Sequence, residues 1–180
     1  INVSAYSGGY SHVRMYNNLI VFTSSVASGG CQGGFVGLAA SGFTMTDCMV
    51  ANNLIAGGSQ GWSMNNSGGY SVTWTGCFIV NNVSVQGAAV QADIAHGVNT
   101  FSGTGMTAAH NIDNLTATTA ASYFNTYTNY LNGTANNFHL KAGATGLIGQ
   151  GNNLTAYGIT TDMDGNPRPA TGAWDIGPYQ

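Results

Sequence analysis

Apolar and polar positions alternate along this chain in short runs. Val13 and Met15 precede an apolar run from Leu19 to Phe22, Phe43 and Met45 precede Met49-Val50, and Val72 and Trp74 precede Phe78–Val80. The runs have the length of strands, and Asn and Gly punctuate them. Between them lie turn-like stretches rich in glycine: Ser28–Gly34, Gly57–Gly61, Asn65–Gly69 and Gln86–Ala89. The pattern also returns at a fixed distance. Phe43–Asn53 (FTMTDCMVANN) recurs 29 residues later as Val72–Asn82 (VTWTGCFIVNN), so that Cys48 maps onto Cys77 and Asn52-Asn53 onto Asn81-Asn82. A step of 30 residues backwards reaches Val13–Thr23, with Asn18 at the cysteine position, and a step of 29 forwards reaches Phe101–Asn111, with Met106 there.

A period between about 20 and 50 residues marks supersecondary units that bury their apolar faces only by stacking. Each repeat holds about three short strands joined by tight turns, which is one coil of a parallel β-helix. Residues one period apart then lie above one another at the parallel strand spacing of about 4.8 Å. This reading predicts one inward stack of Asn18, Cys48, Cys77 and Met106, and another of Val13, Phe43, Val72 and Phe101. The Asn-Asn pairs fall where the coil must turn; asparagine tolerates the left-handed backbone conformation and can bond its amide to the amide above and below.

Composition narrows the alternatives. Of 180 residues 43% are hydrophobic, enough for a stacked core, and only 5% are charged: three Lys or Arg and six acidic residues, all Asp. Helical solenoids draw on Glu, Lys, Leu and Arg, so they fit poorly. A net charge of −3 on so few groups supplies no basic patch for nucleic acid and no polybasic anchor for anionic lipid. There is no apolar run long enough to span a bilayer and no signal-peptide pattern, so membrane insertion is not expected. The start at Ile1 rather than Met suggests that something upstream has been lost.

The last third carries a more specific signal. Asn137–Gly151 (NFHLKAGATGLIGQG), Thr161–Pro169 (TDMDGNPRP) and Gly172–Gln180 (GAWDIGPYQ) together resemble the closing segment of secreted bacterial and phage right-handed parallel β-helix proteins of the pectate-lyase-like superfamily. In that family an HLKAG-like strand, a short D-x-D-G-N-x-R-P turn and a terminal W-D-I-G-x-Y strand follow the last coils. Ala144-Thr145-Gly146 and the final Gly-Pro-Tyr-Gln depart slightly from the pattern. The expected fold is therefore all-β: a single right-handed parallel β-helix of about 29-residue coils over 1–122, with 123–180 as the closing segment of the same domain. The resemblance implies fold more strongly than function, because the family includes polysaccharide lyases, glycosidases, adhesins and phage tail or surface proteins.

Charged residues for chemistry are few. A lyase of this type would need an Arg or Lys base beside acidic calcium ligands, and a hydrolase a pair of carboxylates about 5 to 9.5 Å apart. Lys141 and Arg168 lie in the closing motifs, as do Asp162, Asp164 and Asp175, leaving Arg14, Asp47, Asp93 and Asp113; Asp47 aligns with Gly76, so no carboxylate ladder forms. No catalytic residue is nominated. His12, His96, His110 and His139 lack metal-ligand spacing and read as turn or surface residues, His110 at an Asn position of the repeat. Asp162, Asp164 and Asn166 form a weak calcium candidate, since the acidic residue expected at the twelfth position of a calcium loop is matched only loosely near Trp174 and Asp175, and an Asx-type turn is the simpler reading. Cys31, Cys48 and Cys77 read as buried free thiols. Trp62, in a Gly-rich turn, and Tyr123, Tyr127 and Tyr130, in a segment rich in Asn and Thr, are candidate carbohydrate platforms, although packing of the rings beneath a long closing loop is the favoured reading.

Two functions follow. The first is a non-catalytic structural or adhesive module of an extracellular, cell-surface or virion assembly, binding carbohydrate and joined to other subunits, with a homotrimer expected. The alternative is the C-terminal part of a secreted polysaccharide lyase or glycoside hydrolase whose active coils lie upstream.

Overall fold

The computed structural model describes residues 2–4, 8–22, 36–38, 43–57, 72–85 and 105–180. Within them the chain is mostly short strands in parallel sheets, with one helix of seven residues and two 3-10 turns. The strands fall into four tiers. The first holds β1 (Asn2–Ser4), β2 (Gly9–Ser11), β3 (Arg14–Tyr16) and β4 (Leu19–Val21). The second holds β5 (Val36–Leu38), β6 (Phe43–Thr46), β7 (Met49–Ala51) and β8 (Leu54–Ala56). The third holds β9 (Val72–Thr75), β10 (Cys77–Val80) and β11 (Val83–Val85), and the fourth β12 (Met106–Ala109) and β13 (Ile112–Leu115). Strands of successive tiers pair in parallel to make three ladders, β2-β6-β9, β3-β7-β10-β12 and β4-β8-β11-β13, beside the smaller pair β1-β5.

The 29-residue step is the pairing register between the second and third tiers, where Phe43 faces Val72 and Met49 faces Phe78, and it continues to the fourth, where Cys77 faces Met106. The step from the first tier to the second differs from the expected 30: Gly9 faces Thr44, Arg14 faces Met49 and Leu19 faces Leu54, an offset of 35 in each case. The two predicted stacks change accordingly. Val13, not Asn18, packs with Cys48, Cys77, Trp74 and Met106, and Asn18 lies instead against Asn53. Val13 therefore leaves the Phe43–Val72 row, and Phe101 lies outside the described residues.

Side-chain alternation gives each ladder two faces. Met45 and Trp74 of the first ladder meet Val13, Cys48, Cys77 and Met106, while Met15, Val50, Ile79 and Ala108 of the second meet Ile20 and Ile55 of the third. One face of every ladder thus contributes to shared apolar packing. Cys48 and Cys77 are buried free thiols there, as expected, and burial raises the Cys48 thiol above its ordinary pKa; Cys31 lies outside the described residues.

The opposite faces of the second and third ladders are covered by the chain that follows β13. Helix α1 (Ala117–Tyr123), capped by the Thr116 hydroxyl, leads into the antiparallel pair β14 (Phe124–Thr126) and β15 (Asn137–Leu140). Phe124, Tyr127, Tyr130, Phe138, Leu147, Ile176 and Tyr179 then pack on Leu54, Ala56, Val83, Val85 and Leu115 of the third ladder. Leu154, Ile159 and Trp174 cover Met49, Ala51 and Val80 of the second, with the Tyr157 ring 4.8 Å from that of Phe78. Tyr130 lies directly on the backbone at Gly57: a Cβ there would come within 2.3 Å of its ring, and Gly57 also has φ +78°.

The expected HLKAG strand forms only in part: β15 takes in His139 and Leu140 and ends there, and Ala142-Gly143 turn. The expected terminal strand over Gly172–Gln180 does not form. Its N–H groups are taken up elsewhere, Trp174 bridging Gly151, Ile176 bonding the Leu147 carbonyl and Gly177 the Asn81 carbonyl, so the segment is held as an irregular strip that is buried from Trp174 to Tyr179.

The Asn pairs are structural, as predicted. Asn17, Asn52, Asn81 and His110 all have positive φ, between 53° and 59°, and form one row of corners between the second and third ladders. Their neighbours Asn18, Asn53, Asn82 and Asn111 form a continuous amide ladder (2.8, 2.9 and 2.9 Å from Nδ2 to Oδ1). The corner row also anchors the closing segment: Asn81 exchanges two bonds with the Asn152 backbone, and Asn17 Nδ2 donates to the Thr161 carbonyl.

Candidate functional site

Because the closing segment lies over the outer faces of two ladders, the outer face of β2-β6-β9 is the uncovered one among the described residues. The alternation in FTMT and VTWT decides its chemistry. Met45 and Trp74 point to the apolar side, so Thr44, Thr46, Thr73 and Thr75 project outward, with Thr44 level with Thr73 and Thr46 with Thr75. Gly9 and Ser11 extend the two rows into the first tier. Ser11, Thr73 and Thr75 are exposed, and Thr44 and Thr46 half-buried. Hydroxyls therefore repeat about 4.8 Å apart across strands and about 6.6 Å apart along them. The face has donors and acceptors but no charge.

A second row of corners borders it. His12, Asp47, Gly76 and Gly105 all have positive φ (59°, 50°, 62° and 92°) where the chain passes from the first ladder to the second. At Gly105 a Cβ would meet the Trp74 carbonyl oxygen at 2.2 Å, so only glycine closes that corner. At the other end of the row the corner carries charge. Arg14 Nη2 lies 2.9 Å from Asp47 Oδ2, its Nη1 donates to the Asp47 carbonyl, and His12 Nε2 is 3.4 Å from the same carboxylate oxygen. Two of the four charged residues left over by the sequence reading, Arg14 and Asp47, thus meet each other, together with a histidine. Asp47 engages the Arg14 guanidinium twice.

The other cations are also engaged. Lys141 Nζ donates to the Ala121 carbonyl near the end of α1 (2.6 Å). Arg168 is buried over the Trp174 ring (5.1 Å) and donates to the Gly177 carbonyl and to Asn17 Oδ1. Burial pushes its pKa down to about 10, against the opposing pull of Asp162 and Asp175, so it is still a cation at neutral pH.

The candidates named from sequence separate into groups. Tyr127 and Tyr130 are buried at 6% and 4% exposure in the cluster beneath the closing segment, and the Tyr127 ring lies 5.7 Å from that of Phe138. Burial drives the Tyr127 hydroxyl up to about 12. Both are interior rings that a sugar could reach only by unpacking them. Tyr123 is half-buried, with its hydroxyl against Gly146. Trp62 lies outside the described residues, as do Asp93 and His96.

Asp162 forms the Asx-type turn expected of it. Its Oδ1 accepts from the N–H groups of Asp164 and Asn166 (2.9 and 2.8 Å), and its Oδ2 from Asn166 Nδ2 and the Gln180 N–H (both 3.1 Å). Four donors reach the carboxylate, and Asp164 faces His139 at 2.6 Å, so Asp162, Asp164 and Asn166 are arranged as a hydrogen-bonded turn. No group of three metal-ligating side chains occurs among the described residues. His139 also stacks on Tyr179 (4.1 Å), a pairing the sequence reading missed.

The Asp162 turn predicts a pH response. Burial alone would raise the carboxyl, but the hydrogen bonds from Asn166, Gln180 and Asp164 outweigh it and hold the pKa below the ordinary carboxylate value. Stability from this group is present above the unfolded value of about 3.9 and is lost as pH falls through the folded one. Thermal melts of the parent and of Asp162→Asn should differ most near neutral pH and converge on acidification below about pH 4; a difference that stays constant would assign the turn's stability to something else.

Comparison with protein-family models, curated proteins and solved structures finds no match for this chain.

Proposed function

We propose that this chain is a non-catalytic adhesive module, a single right-handed parallel β-helix that binds carbohydrate through the uncovered hydroxyl face of β2-β6-β9. The observation that carries the reading is the division of faces. The second and third ladders turn an apolar outer face to the closing segment, and β2-β6-β9 turns ordered Thr and Ser hydroxyls to solvent. The coil geometry is supported by three parallel ladders that share apolar packing and two rows of left-handed corners. The closing motifs support a place at the surface of a cell or virion, in a larger assembly. Ordered hydroxyls suit the hydroxyls and ring faces of sugars, and the neutral face suits an uncharged polysaccharide better than an acidic one.

Binding to a panel of immobilised polysaccharides tests this. Affinity for at least one neutral glycan is expected, and Thr73→Val combined with Thr75→Val should weaken it at least about fivefold while leaving the melt intact, since each lost neutral hydrogen bond is worth about 1 kcal/mol. No sustained release of unsaturated or reducing sugars is expected. Release would favour the alternative, the C-terminal part of a secreted lyase or hydrolase, and binding that ignores the double substitution would remove the face from the reading.

A further inference from the structure

The asparagine ladder has a direction. In every tier the Oδ1 of one asparagine accepts both the main-chain N–H and the Nδ2 of the asparagine one tier earlier. Asn53 accepts from Asn18 (2.9 and 2.8 Å), Asn82 from Asn53 (3.1 and 2.9 Å) and Asn111 from Asn82 (3.0 and 2.9 Å). A directional ladder of finite length ends in an unused acceptor at one end and unused donors at the other. Here the acceptor is Asn18 Oδ1, and the donors are the Asn111 N–H and the second hydrogen of its Nδ2, none of which meets a partner among the described residues.

The backbone repeats the same polarity. Asn17 donates to Ala51 and Met49 donates to Val13, so the groups of Arg14 and Tyr16 alternate to the opposite side, away from β7. By the same alternation Leu19 and Val21 of β4 point away from β8, because Phe22 donates to Ala56 and Leu54 to Asn18. At the fourth tier, Gly105 and Ala109 accept from Cys77 and Asn81, which leaves Met106 and Ala108 facing outward along the edge. The apolar interior opens at the same two ends: Ile55 and Ile79 are buried at 0% and 3%, while Met15, Ile20 and Phe22 at one end and Met106 and Ala108 at the other are only partly buried.

We propose that a second copy of this chain completes these ends head to tail, the β12–β13 tier of one copy stacking on the β3–β4 tier of the next, with the Asn111 N–H of one donating to Asn18 Oδ1 of its neighbour. The proposal rests on the coil reading above. It extends to a neighbouring molecule a contact that the chain already makes three times within itself, between tiers of matching amide polarity and apolar interior, with one register shift between Val83 and Val85 where β11 meets β13. Such a contact joins unlike surfaces, so it generates open-ended stacks and not a closed trimer. Exposed strand edges of this kind pair readily with further strands.

Sedimentation velocity over a range of concentrations tests the stack. The parent should give a ladder of species that grows with concentration, without a preferred size. Tyr16→Pro removes only an N–H that points away from β7 and places a ring on the open edge, where proline is tolerated in a strand; it should be monomeric, with unchanged far-ultraviolet dichroism and glycan binding. Val21→Pro blocks β4 in the same way and serves if Tyr16→Pro folds poorly. Ala108→Pro blocks the other end, and mixing it with Tyr16→Pro should give one dimeric species and nothing larger. A trimer that persists in Tyr16→Pro would overturn the proposal, as would a parent monomeric at every concentration. Loss of glycan binding with the stack intact would count against the hydroxyl face alone.

Discussion

Replacing Asn82 by alanine should cost about 3 to 6 kcal/mol of folding stability, a large part of the total for a domain of this kind. Asn82 is fully buried, and its amide is used on every side: Oδ1 accepts from the Asn53 N–H and Nδ2, and Nδ2 donates to the Val50 carbonyl and to Asn111 Oδ1. Alanine deletes all four bonds at once. It leaves the Asn53 N–H and the Val50 carbonyl buried without these partners, and each orphan of that kind costs about 1 to 3 kcal/mol. Asn18→Ala, at the half-exposed end of the same row, removes fewer bonds from a wetter site and should cost clearly less. Urea unfolding of the two variants beside the parent checks both statements. An Asn82→Ala variant within about 1 kcal/mol of the parent would mean that the ladder is decoration and not framework.

The second large effect is expected at Cys77. The thiol is 2% exposed among Cys48, Trp74 and Met106, with the Met45 and Thr75 carbonyls and the Cys48 thiol near its sulfur. Cys77→Asp places a carboxylate among carbonyl acceptors and apolar groups and should cost at least about 3 kcal/mol at neutral pH. Its pH dependence identifies the cause. A carboxyl whose pKa is raised by burial binds its proton more tightly in the folded chain, so the variant should recover stability as pH falls towards about 4, opposite in sign to Asp162. Cys77→Ser, whose hydroxyl can donate to the Met45 carbonyl, should lie between the two. A Cys77→Asp melt within a degree or two of the parent would place this side chain outside the packed interior.

Much of this framework is legible before folding. The 29-residue step, the inward cysteines and the asparagine corners could all be read from position, because a parallel ladder places residues one period apart in contact and thereby turns a sequence repeat into a spatial one. The first tier was misplaced because a constant period was assumed. The better signal was Asn17–Ile20, NNLI, which recurs identically at Asn52–Ile55, 35 residues on. It marks the corner, and corners are bound more tightly to register than the strands between them, since left-handed backbone and a tier-to-tier amide bond must coincide there. Turns can absorb extra residues at little cost, so the period is free to vary where the register is not.

The candidate face was visible only in part. The Thr-x-Thr runs stand plainly in FTMT and VTWT, and alternation alone implies that their hydroxyls share one side. What the sequence determined by itself was this local order: which residues alternate, which repeat, where the chain must turn, and that few charges are available for chemistry. Tertiary structure alone decided which faces remain open. Long-range packing brings 117–180 across the second and third ladders, buries Tyr127 and Tyr130 that a linear reading offers as sugar platforms, and joins Arg14 to Asp47 across a 33-residue separation. Those outcomes depend on how surfaces distant in sequence complement one another, and no periodicity within either segment encodes that.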